Sequence, residues 1–431
     1  MSYLIIGGGI AGLYCAYVIH KKFGTKNIII IEKSNRLGGR IDTRNINGTY
    51  LEFGAGGISS THHNVINLVK ELGLENKLIE GQDGRSHIEM TTMNLVRERP
   101  VQIPTVYLID RIVDLTKTDF YQIINALTNR LADLDFYAQA VNYSLYRLIE
   151  KFYGVDKADK MTYQFGYHDD FHEQNAIDGL LMFEKTFNPN TKFNIMLGGM
   201  IQIIDSLKKY LLKNSIEIKL DTECTDIINR NNEFSCVLKN GDKITAKNII
   251  LAIPKSNIIK IKYLDTIKNK LDCVVSKPLV RIYAFFPLVN NKVWFDDLNG
   301  YITTKTLLSQ IIPIDKQKGI LMIYCDGPNA KTWHDLHKKN MLRNELIYHL
   351  TKLFITRDIP EPIDIHISYY AEATHMWKPS VDSRQVYKDI MQPIKDEPIF
   401  IVGETYSLTQ QWSEGALQSV NDLLEIIGLN T

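Results

Sequence analysis

The sequence predicts a mixed α/β and α+β fold, in which a Rossmann-like lobe is interleaved with a lobe of antiparallel sheet and helices. Three observations along the 431 residues predict it. The first forty residues alternate strand, glycine turn, helix and strand. The periodicity across 109–153 is mostly helical, and strand-like runs follow residue 279. The chain then ends on a strand followed by a helical pattern, which indicates a return to the first lobe.

The N-terminal unit has the spacing of a dinucleotide-binding turn. Tyr3–Ile6 is an apolar run with the length of a buried strand, and Gly7, Gly9 and Gly12 follow it as G-x-G-x-x-G. In such a turn the first glycine bends the chain, the second lets the backbone approach a pyrophosphate, and the third lets helix and strand pack closely. A second apolar run ends at Glu32, whose carboxylate can accept hydrogen bonds from a ribose diol.

Two further glycine clusters follow, which a nicotinamide dehydrogenase would not need so soon. They are residues 36–40, Arg-Leu-Gly-Gly-Arg, and residues 51–57, Leu-Glu-Phe-Gly-Ala-Gly-Gly. Together with the first turn, these segments resemble the FAD-dependent amine oxidase family, which includes monoamine and polyamine oxidases. The resemblance covers most of the chain in outline, although the middle of the chain is only generically similar.

The C-terminal segment adds to the resemblance. Residues 399–404 predict a strand and a turn, and the run 412–416, Trp-Ser-Glu-Gly-Ala, opens a helix. In the family, the N–H groups at such a helix start face the pyrimidine end of the flavin and can stabilise the negative charge of its reduced form. The resemblance implies that FAD is bound by Gly7, Gly9, Ile10, Ala11, Gly12, Glu32, Lys33, Gly39, Arg40, Gly54, Ala55, Gly56, Gly57, Gly403, Glu404, Gly415 and Ala416.

The order of these segments predicts two discontinuous lobes. The FAD-binding lobe is expected to comprise 1–80, 195–262 and 395–431, and the substrate-binding lobe 81–194 and 263–394. Within the first lobe, a helix over 201–212 and a hairpin around Asn240-Gly241 are predicted. Within the second, strand-like runs at 279–286, 300–304, 319–325 and 364–370 suit an antiparallel sheet.

Composition excludes several other classes of protein. The net charge is +1 and 45% of the residues are hydrophobic, so neither a nucleic-acid partner nor disorder is indicated. No apolar run reaches the ~18 residues of a membrane span, and the chain enters its first strand directly after Met1. The five cysteines form no C-x-x-C pair, which favours reduced thiols and a cytoplasmic location.

The resemblance also implies an aromatic pair in front of the flavin that holds an amine. Trp412 matches one wall by its spacing from Glu404 and Gly415. Tyr387 is the weaker candidate for the other wall, and Trp377 lies in the same part of the chain. Packing in the core is the alternative for each of these rings, because aromatic residues are common there.

Arg281 departs from the family pattern. The family usually carries a lysine early in this strand, where it holds a water near the reactive nitrogen of the flavin. Arginine stays charged and presents a planar fork, so Arg281 could hold water differently, bind a substrate carboxylate, or form a salt bridge within the lobe. Lys277 is the alternative if the register differs by four residues.

Two other features are relevant to cofactors. The run 167–173 is rich in acidic residues and contains His168 and His172, which would align on a helix. No further ligand pair follows at a fitting spacing, so no metal is predicted, and an acidic entrance for cationic substrates or a solvated loop is the interpretation of this run. Some monoamine oxidases attach their flavin through a late cysteine. Here Cys325 is the last cysteine, and none lies between Trp377 and Trp412, so FAD is expected to be held noncovalently.

The predicted function is an FAD-dependent oxidase that removes a hydride from the carbon next to an amine nitrogen. The substrate would be an amine, a polyamine or an amino acid, and oxygen would reoxidise the flavin to give hydrogen peroxide. Arg281, Trp412, Tyr387 and Trp377 are the candidate catalytic residues. The alternatives are a flavin-dependent desaturase or porphyrinogen-type oxidase, and a flavin-binding scaffold without turnover. Substrate identity, electron acceptor and oligomeric state stay open.

Overall fold

A computed structural model of the protein describes residues 2–80, 117–188, 190–230, 233–298, 300 and 302–429. The first part of the helical region predicted at 109–153, up to residue 116, lies outside the described residues. No helix among the described residues is both long enough and apolar enough to cross a bilayer.

The strands and helices of the described residues are numbered in chain order. The strands are β1 (Tyr3–Ile6), β2 (Ile28–Ile31), β3 (Thr43–Ile46), β4 (Thr49–Glu52), β5 (Ile58–Ser59), β6 (Leu78–Glu80), β7 (Phe193–Met196), β8 (Glu217–Lys219), β9 (Cys224–Arg230), β10 (Glu233–Leu238), β11 (Lys243–Ala246), β12 (Asn248–Leu251), β13 (Val274–Phe285), β14 (Ile302–Thr303), β15 (Gln310–Asp315), β16 (Ile320–Asp326), β17 (Asp364–Trp377) and β18 (Ile399–Ile401). The α-helices are α1 (Ile10–Phe23), α2 (His63–Glu71), α3 (Lys117–Asn129), α4 (Leu134–Ala140), α5 (Leu145–Tyr153), α6 (Val155–Phe165), α7 (His168–His172), α8 (Ala176–Lys185), α9 (Ile201–Lys213), α10 (Lys255–Ile258), α11 (Lys268–Leu271), α12 (Gly327–Lys338), α13 (Leu342–Leu353), α14 (Ser383–Met391) and α15 (Ser413–Leu429).

A parallel sheet collects strands from distant parts of the chain. Its order is β18-β12-β1-β2-β8, and every pairing in it is parallel. The central strands are buried because helices α1, α9 and α15 pack together in one core on this sheet, which is why they consist of continuous apolar runs. The carboxyl ends of β1, β12 and β18 therefore meet at one edge, where open α/β sheets bind ligands.

A second, antiparallel sheet has the order β14-β15-β16-β13-β17. Its long strands β13 and β17 pair over most of their length, with a register shift between Lys277 and Leu279. Helices α12 and α13 pack against this sheet in a core that contains the fully buried Trp333. Helices α3 to α8 form a separate aromatic core around Phe120, Phe171 and Phe183.

Several predicted elements are present. The helix predicted at 201–212 is α9, and the hairpin around Asn240-Gly241 is β10 paired with β11. The strand predicted at 364–370 is longer than expected, because β17 continues to Trp377. The mixed fold of parallel and antiparallel sheets with helices is confirmed, whereas the boundaries of the two lobes at 80, 194, 262 and 394 stay a prediction.

Gly12 and Gly9 offer a matched test of the first turn. A Cβ at Gly12 would lie 2.0 Å from the Gly7 carbonyl oxygen, whereas a Cβ at Gly9 meets nothing within 4 Å. We expect Gly12→Ala to lower the free energy of unfolding by about 1–3 kcal/mol, because the backbone of the turn must move. Gly9→Ala should change it by less than about 1 kcal/mol, since its φ of −77° suits alanine. Chemical denaturation of the flavin-free proteins measures both. Equal stability of the two variants would contradict the packing role of Gly12.

Candidate active site

One cavity of about 870 Å³ runs between the two sheets. Its volume lies in the upper part of the ~300–1,000 Å³ range of small-molecule sites. One end is bordered by the glycine turn after β1 and by Glu32. The other end is bordered by Asp170, Tyr324 and Asp326, which come from α7 and from the end of β16. The cavity can therefore hold a nucleotide and a second molecule in one continuous space.

Most of the predicted cofactor-binding residues border this cavity. Those that line it are Gly7, Gly9, Ile10, Ala11, Glu32, Lys33, Gly39, Arg40, Gly54, Ala55, Gly56, Gly57, Gly403, Glu404 and Ala416. Gly12 and Gly415 do not line it. A Cβ on Gly415 would lie 2.0 Å from the Thr409 carbonyl oxygen, so this glycine permits close packing at the start of α15.

The first turn presents backbone to the cavity. Gly7 has a φ of +115°, and a Cβ there would lie 2.4 Å from the Ala252 carbonyl oxygen, so only glycine fits. Helix α1 begins at Ile10, and within the described part of the chain no side chain caps its first turn. Its N–H groups and the positive end of the helix dipole are thus available to an anion.

Glu32 closes the turn as well as bordering the cavity. Its Oε2 accepts a hydrogen bond from the Gly8 N–H at 2.8 Å, and its Oε1 accepts from the N–H and the hydroxyl of Ser34 at 2.9 and 2.6 Å. The carboxylate is therefore held at the end of β2. Its remaining lone pairs could accept hydrogen bonds from the hydroxyl groups of a ribose. The basic residues Lys33, Arg36, Arg40 and Lys260 border the same half of the cavity.

An ion pair connects the turn after β18 to the glycine cluster at residues 36–40. Arg40 Nη1 donates to Glu404 Oε2 at 2.6 Å and to the Ala373 carbonyl oxygen at 3.0 Å. Glu404 is buried, and it also accepts from the Gln411 N–H at 2.7 Å. Burial raises the pKa of Glu404, but Arg40 and His375 more than offset this effect, and the net pKa lies well below the ordinary range.

Trp412 lies at the far end of the cavity. Its ring packs on His62, Phe187 and Phe193, with centroid distances of 4.9, 5.8 and 6.0 Å. The indole Nε1 is buried, and no acceptor for it is found among the described residues. Because the ring borders the cavity, Trp412 can contact a bound molecule with its aromatic face.

Trp377 and Tyr387 require a correction, because the structure does not bring either ring to this cavity. The Trp377 ring is fully buried, and its Nε1 donates to the Ser407 carbonyl oxygen at 3.0 Å. Tyr387 lies on α14 on the other side of β18, where its hydroxyl donates to Asp422 at 2.6 Å. Both side chains serve packing, which leaves Trp412 as the predicted aromatic residue that borders the site.

Arg281 and Lys277 both line the cavity from β13. The Arg281 guanidinium is buried, donates to the Glu52 carbonyl oxygen at 2.7 Å and lies 4.8 Å from the Tyr324 ring centroid. Lys277 Nζ lies 3.1 Å from Asp169 Oδ2. Each cation thus has a partner in the protein, although the buried Arg281 Nε has none among the described residues.

Two carboxyl groups that the sequence analysis did not assign lie at the same end. Asp170 accepts a hydrogen bond from the Gln411 side-chain amide at 3.2 Å, and Asp326 is the last residue of β16. Burial, together with the mutual repulsion of the acids, raises the pKa of Asp170 well above its usual value. Burial and the nearby Asp169 raise the pKa of Asp326 to about 7. Asp170 belongs to the acidic stretch 167–173, whereas no local pattern marked Asp326.

His168 and His172, the pair that resembled metal ligands, stack on one another in α7 with ring centroids 3.9 Å apart. The His172 ring also stacks on Tyr146 at 4.1 Å. His168 Nδ1 also lies 3.8 Å from Asp169 Oδ1, so the observed contacts of the pair are ring stacking and one contact with a carboxylate.

The cavity fits a flavin dinucleotide by its own geometry. Its first half combines a glycine turn that a Cβ would block, an uncapped helix start and basic side chains, which suit a diphosphate. Glu32 suits a ribose, and the start of α15 near Ala416 offers a second helix N-terminus farther along the cavity. The fold and the site together define a dinucleotide-binding oxidoreductase with a second compartment for substrate.

Comparisons with known proteins agree with this class. The family described as flavin containing amine oxidoreductase matches residues 10–419. A putrescine oxidase structure covers 100% of this chain and 99% of its own with a TM-score of 0.73 at 14% identity. The crystal structure of a putative protoporphyrinogen oxidase from Exiguobacterium sp. 255-15 has the same coverage with a TM-score of 0.69 at 16% identity.

Coproporphyrinogen III oxidase of Bacillus subtilis (strain 168) is 36% identical over 89 residues, which are 20% of this chain and 19% of that protein. The chain thus matches about a fifth of the length of this curated relative. Because the family match spans nearly the whole sequence, the chain belongs to the flavin-containing amine oxidoreductases. It is an oxidoreductase with a flavin cofactor, and the predicted family is confirmed.

Gly9 provides a test of where the diphosphate binds. A Cβ at Gly9 enters open space at the cavity wall. We expect Gly9→Ala to weaken FAD binding at least tenfold, because the methyl group occupies the space through which the backbone approaches the phosphates. Fluorescence titration of flavin-free protein measures the dissociation constant. Gly24→Ala, whose Cβ also meets nothing within 4 Å but which follows the other end of α1, is the control; because its φ is +65°, this variant should lose some stability but no FAD affinity. Unchanged FAD affinity of Gly9→Ala would place the diphosphate elsewhere.

Proposed function

We propose that the protein is an FAD-dependent amine oxidase. The observation that carries the proposal is the far end of the cavity, where the Trp412 ring and the carboxyl groups of Asp170 and Asp326 border one space that is continuous with the nucleotide half. An aromatic face and acidic groups suit a molecule that is apolar along its length and cationic at a nitrogen. Bound FAD would supply the hydride acceptor for the carbon next to that nitrogen, and oxygen would be the final acceptor.

The distribution of charge favours an amine over a porphyrinogen. The Lys277 ammonium is paired with Asp169, and Arg281 is held against Glu52 and Tyr324. Asp170 and Asp326 have no cation partner of this kind in the described ranges, and burial together with repulsion from neighbouring acids raises both pKa values. A cationic ligand beside them would favour the ionised form of Asp326, whereas the carboxylate side chains of a porphyrinogen would be repelled by it. An ammonium group would be attracted to them.

The same residues can prepare an amine for oxidation. An alkylamine reaches the protein as an ammonium ion and reacts only as the neutral amine. The Asp326 carboxylate, with its pKa raised to about 7, can accept the ammonium proton near neutral pH. Trp412 and the surrounding aromatic rings exclude water, which favours the neutral form of the amine. Trp412 would also orient the substrate across the cavity.

The positions of the cysteines support noncovalent FAD. Of the five cysteines, Cys224 lines the cavity. Cys224 lies two residues after Thr222, whose N–H donates to the Glu32 carbonyl oxygen at 2.8 Å. Because Glu32 is the proposed ribose ligand, Cys224 lies at the ribose end of the cavity. Cys325 points away from the cavity, because its Sγ contacts the Leu307 and Leu308 carbonyl oxygens. A thiol at the flavin ring is therefore lacking among the described residues.

A porphyrinogen-type oxidase is the second candidate. It is favoured by the relatedness to coproporphyrinogen III oxidase and by the two cations Lys277 and Arg281 at the substrate end, which could bind carboxylates after rearrangement.

Anaerobic mixing of the flavoprotein with amines, polyamines, amino acids and coproporphyrinogen III distinguishes the two candidate functions. Bleaching of the flavin spectrum by an amine supports the proposal, and bleaching by the porphyrinogen alone overturns it.

The noncovalent binding of FAD is tested by acid precipitation. This treatment should leave FAD in the supernatant, whereas flavin that stays with the denatured protein would contradict noncovalent binding.

The acid pair predicts the pH dependence of amine binding. Below pH 7 Asp326 is mostly protonated and neutral, and above it the carboxylate can attract an ammonium ion. KM for a reactive amine should therefore fall as the pH rises through about 7. Asp326→Asn should remove this dependence, and above pH 7 it should raise KM about tenfold relative to the wild type. Asp205→Asn, an exposed position on α9, is the control. An unchanged pH profile in Asp326→Asn would exclude this role of Asp326.

Trp412 predicts an effect on flavin reduction. Trp412→Ala removes the ring that borders the substrate end, so we expect it to slow reduction by a reactive amine at least tenfold, because the reacting atoms must lie within about 3–3.5 Å. Trp412→Phe keeps an aromatic face and should retain most of the rate. Stopped-flow absorbance under nitrogen measures the reduction, and FAD content is measured in parallel. Wild-type reduction rates in Trp412→Ala would remove Trp412 from the active site.

A further inference from the structure

A buried histidine lies behind the nucleotide half of the cavity. His375 is near the end of β17, and its side chain is 0% exposed. Its ring Nδ1 lies 2.9 Å from Glu404 Oε2, and its backbone N–H donates to Glu404 Oε1 at 3.0 Å. Its Nε2 lies 3.9 Å from Glu372 Oε1 and has no hydrogen-bond partner among the described residues. The ring thus stands between two carboxylates.

Both carboxylates border the cavity. Glu404 is paired with Arg40, and Glu372 accepts hydrogen bonds from the Ser256 hydroxyl and from the Ser276 hydroxyl at 2.7 Å. The hydroxyl groups carry no charge. With a neutral His375, the group Arg40, Glu404 and Glu372 would have a net charge of −1, in a wall that has to accept an anionic diphosphate. With a protonated His375, the four charges alternate in sign and cancel.

The surroundings favour the protonated ring. Burial lowers the pKa of His375, as does the nearby Arg40, but Glu404 and Glu372 outweigh these effects and raise the pKa above its ordinary value. The pKa of Glu372 is correspondingly lowered to about 2, although burial alone would raise it. Among the described residues, three charged groups face the ring: Glu372 from β17, Glu404 from the turn after β18, and Arg40 from the glycine segment after β2.

We propose that His375 is a positioning residue of the flavin site, which as an imidazolium neutralises Glu404 and Glu372 and keeps Arg40 directed to the diphosphate. Both hydrogen bonds of Arg40 use Nη1, and no acceptor for Nε or Nη2 is found in the described part of the chain. The rest of the guanidinium is thus available to an anion at the cavity wall. If the ring loses its proton, Glu404 becomes a stronger competitor for Arg40, and the uncompensated charge of Glu372 repels the phosphates.

The inference rests on FAD binding at this cavity, and its test is the pH dependence of that binding. The dissociation constant of FAD is measured by fluorescence titration of flavin-free protein between pH 6 and 10. For the wild type, FAD affinity should fall about tenfold as the pH rises through the raised pKa of His375. His375→Gln should bind FAD about tenfold more weakly at the acidic end and should lack the pH-dependent step.

A second acid variant separates charge from structure. In the His375→Gln, Glu372→Gln double variant the excess negative charge is removed, so FAD affinity should recover relative to His375→Gln alone. A loss of packing would instead make the double variant equal or worse. Glu372→Gln alone should bind FAD more tightly than the wild type at the alkaline end, and it tests the idea even if His375→Gln fails to fold.

His366→Gln is the matched control. His366 lies on the same strand and is paired with Asp364 at 2.8 Å, but it does not border the cavity. Its FAD profile should follow the wild type. If wild-type protein takes up no FAD at any pH, the proposed cofactor is wrong. If the wild type binds FAD but His375→Gln shows the same pH profile, or the double variant shows no recovery, the proposal for His375 is overturned.

Discussion

The ion pair between Arg40 and Glu404 is the interaction on which the cavity depends. It joins residues 364 positions apart at 2.6 Å, and it connects the glycine segment after β2 to the turn after β18. Arg40 also bonds to the carbonyl oxygen of Ala373 on β17, and Glu404 bonds to the backbone N–H of His375 on the same strand. Three segments from two sheets therefore meet at one pair of charges. Glu404 is buried and the Arg40 side chain is 31% exposed, and a partly buried ion pair of this kind contributes little net stability, because desolvation offsets the attraction. Its effect is to determine where the sheets meet and which groups face the cavity.

The cavity divides its charge between two ends. The nucleotide end has an uncapped helix start and the basic side chains Lys33, Arg36 and Lys260, which suit phosphates. The substrate end has Asp170 and Asp326, which suit a cation. In a partly dry cavity these charges act over a longer range than they would in water. Because the two ends prefer opposite charges, the anionic cofactor would bind at the nucleotide end and the cationic substrate at the other end.

Several residues at the site serve the fold and the ligand at the same time. Glu32 holds the first turn through the Gly8 N–H, so the predicted ribose contact and the shape of the turn depend on one carboxylate. Glu414 of α15 accepts hydrogen bonds from the backbone N–H groups of Asn64 and Val65, and thereby caps α2 against the C-terminal helix. The site is thus supported by contacts between segments that are distant in the chain, which explains why its geometry is not local in origin.

The sequence alone determined the parts of the protein that depend on local pattern. A strand, three spaced glycines, a helix and a terminal acid are specified within about thirty residues, because each follows from backbone conformation or from close packing of neighbours in the chain. Gly7, Gly9 and Glu32 could therefore be placed at the cavity, and the family with its flavin could be predicted. The mixed fold followed from the periodicity of the longer segments.

Tertiary structure decided what each side chain faces. Trp377, Tyr387 and Trp412 are similar aromatic residues in one part of the sequence, yet only Trp412 borders the cavity, because the direction of a side chain depends on strand register and on the neighbouring helices. Asp170 and Asp326 come together only because α7 packs at the end of β16, and His375 acquires its two carboxylates only when β17 meets the turn after β18. Charges that interact across such distances in the chain leave no periodic or spacing pattern, so only the folded structure reveals them.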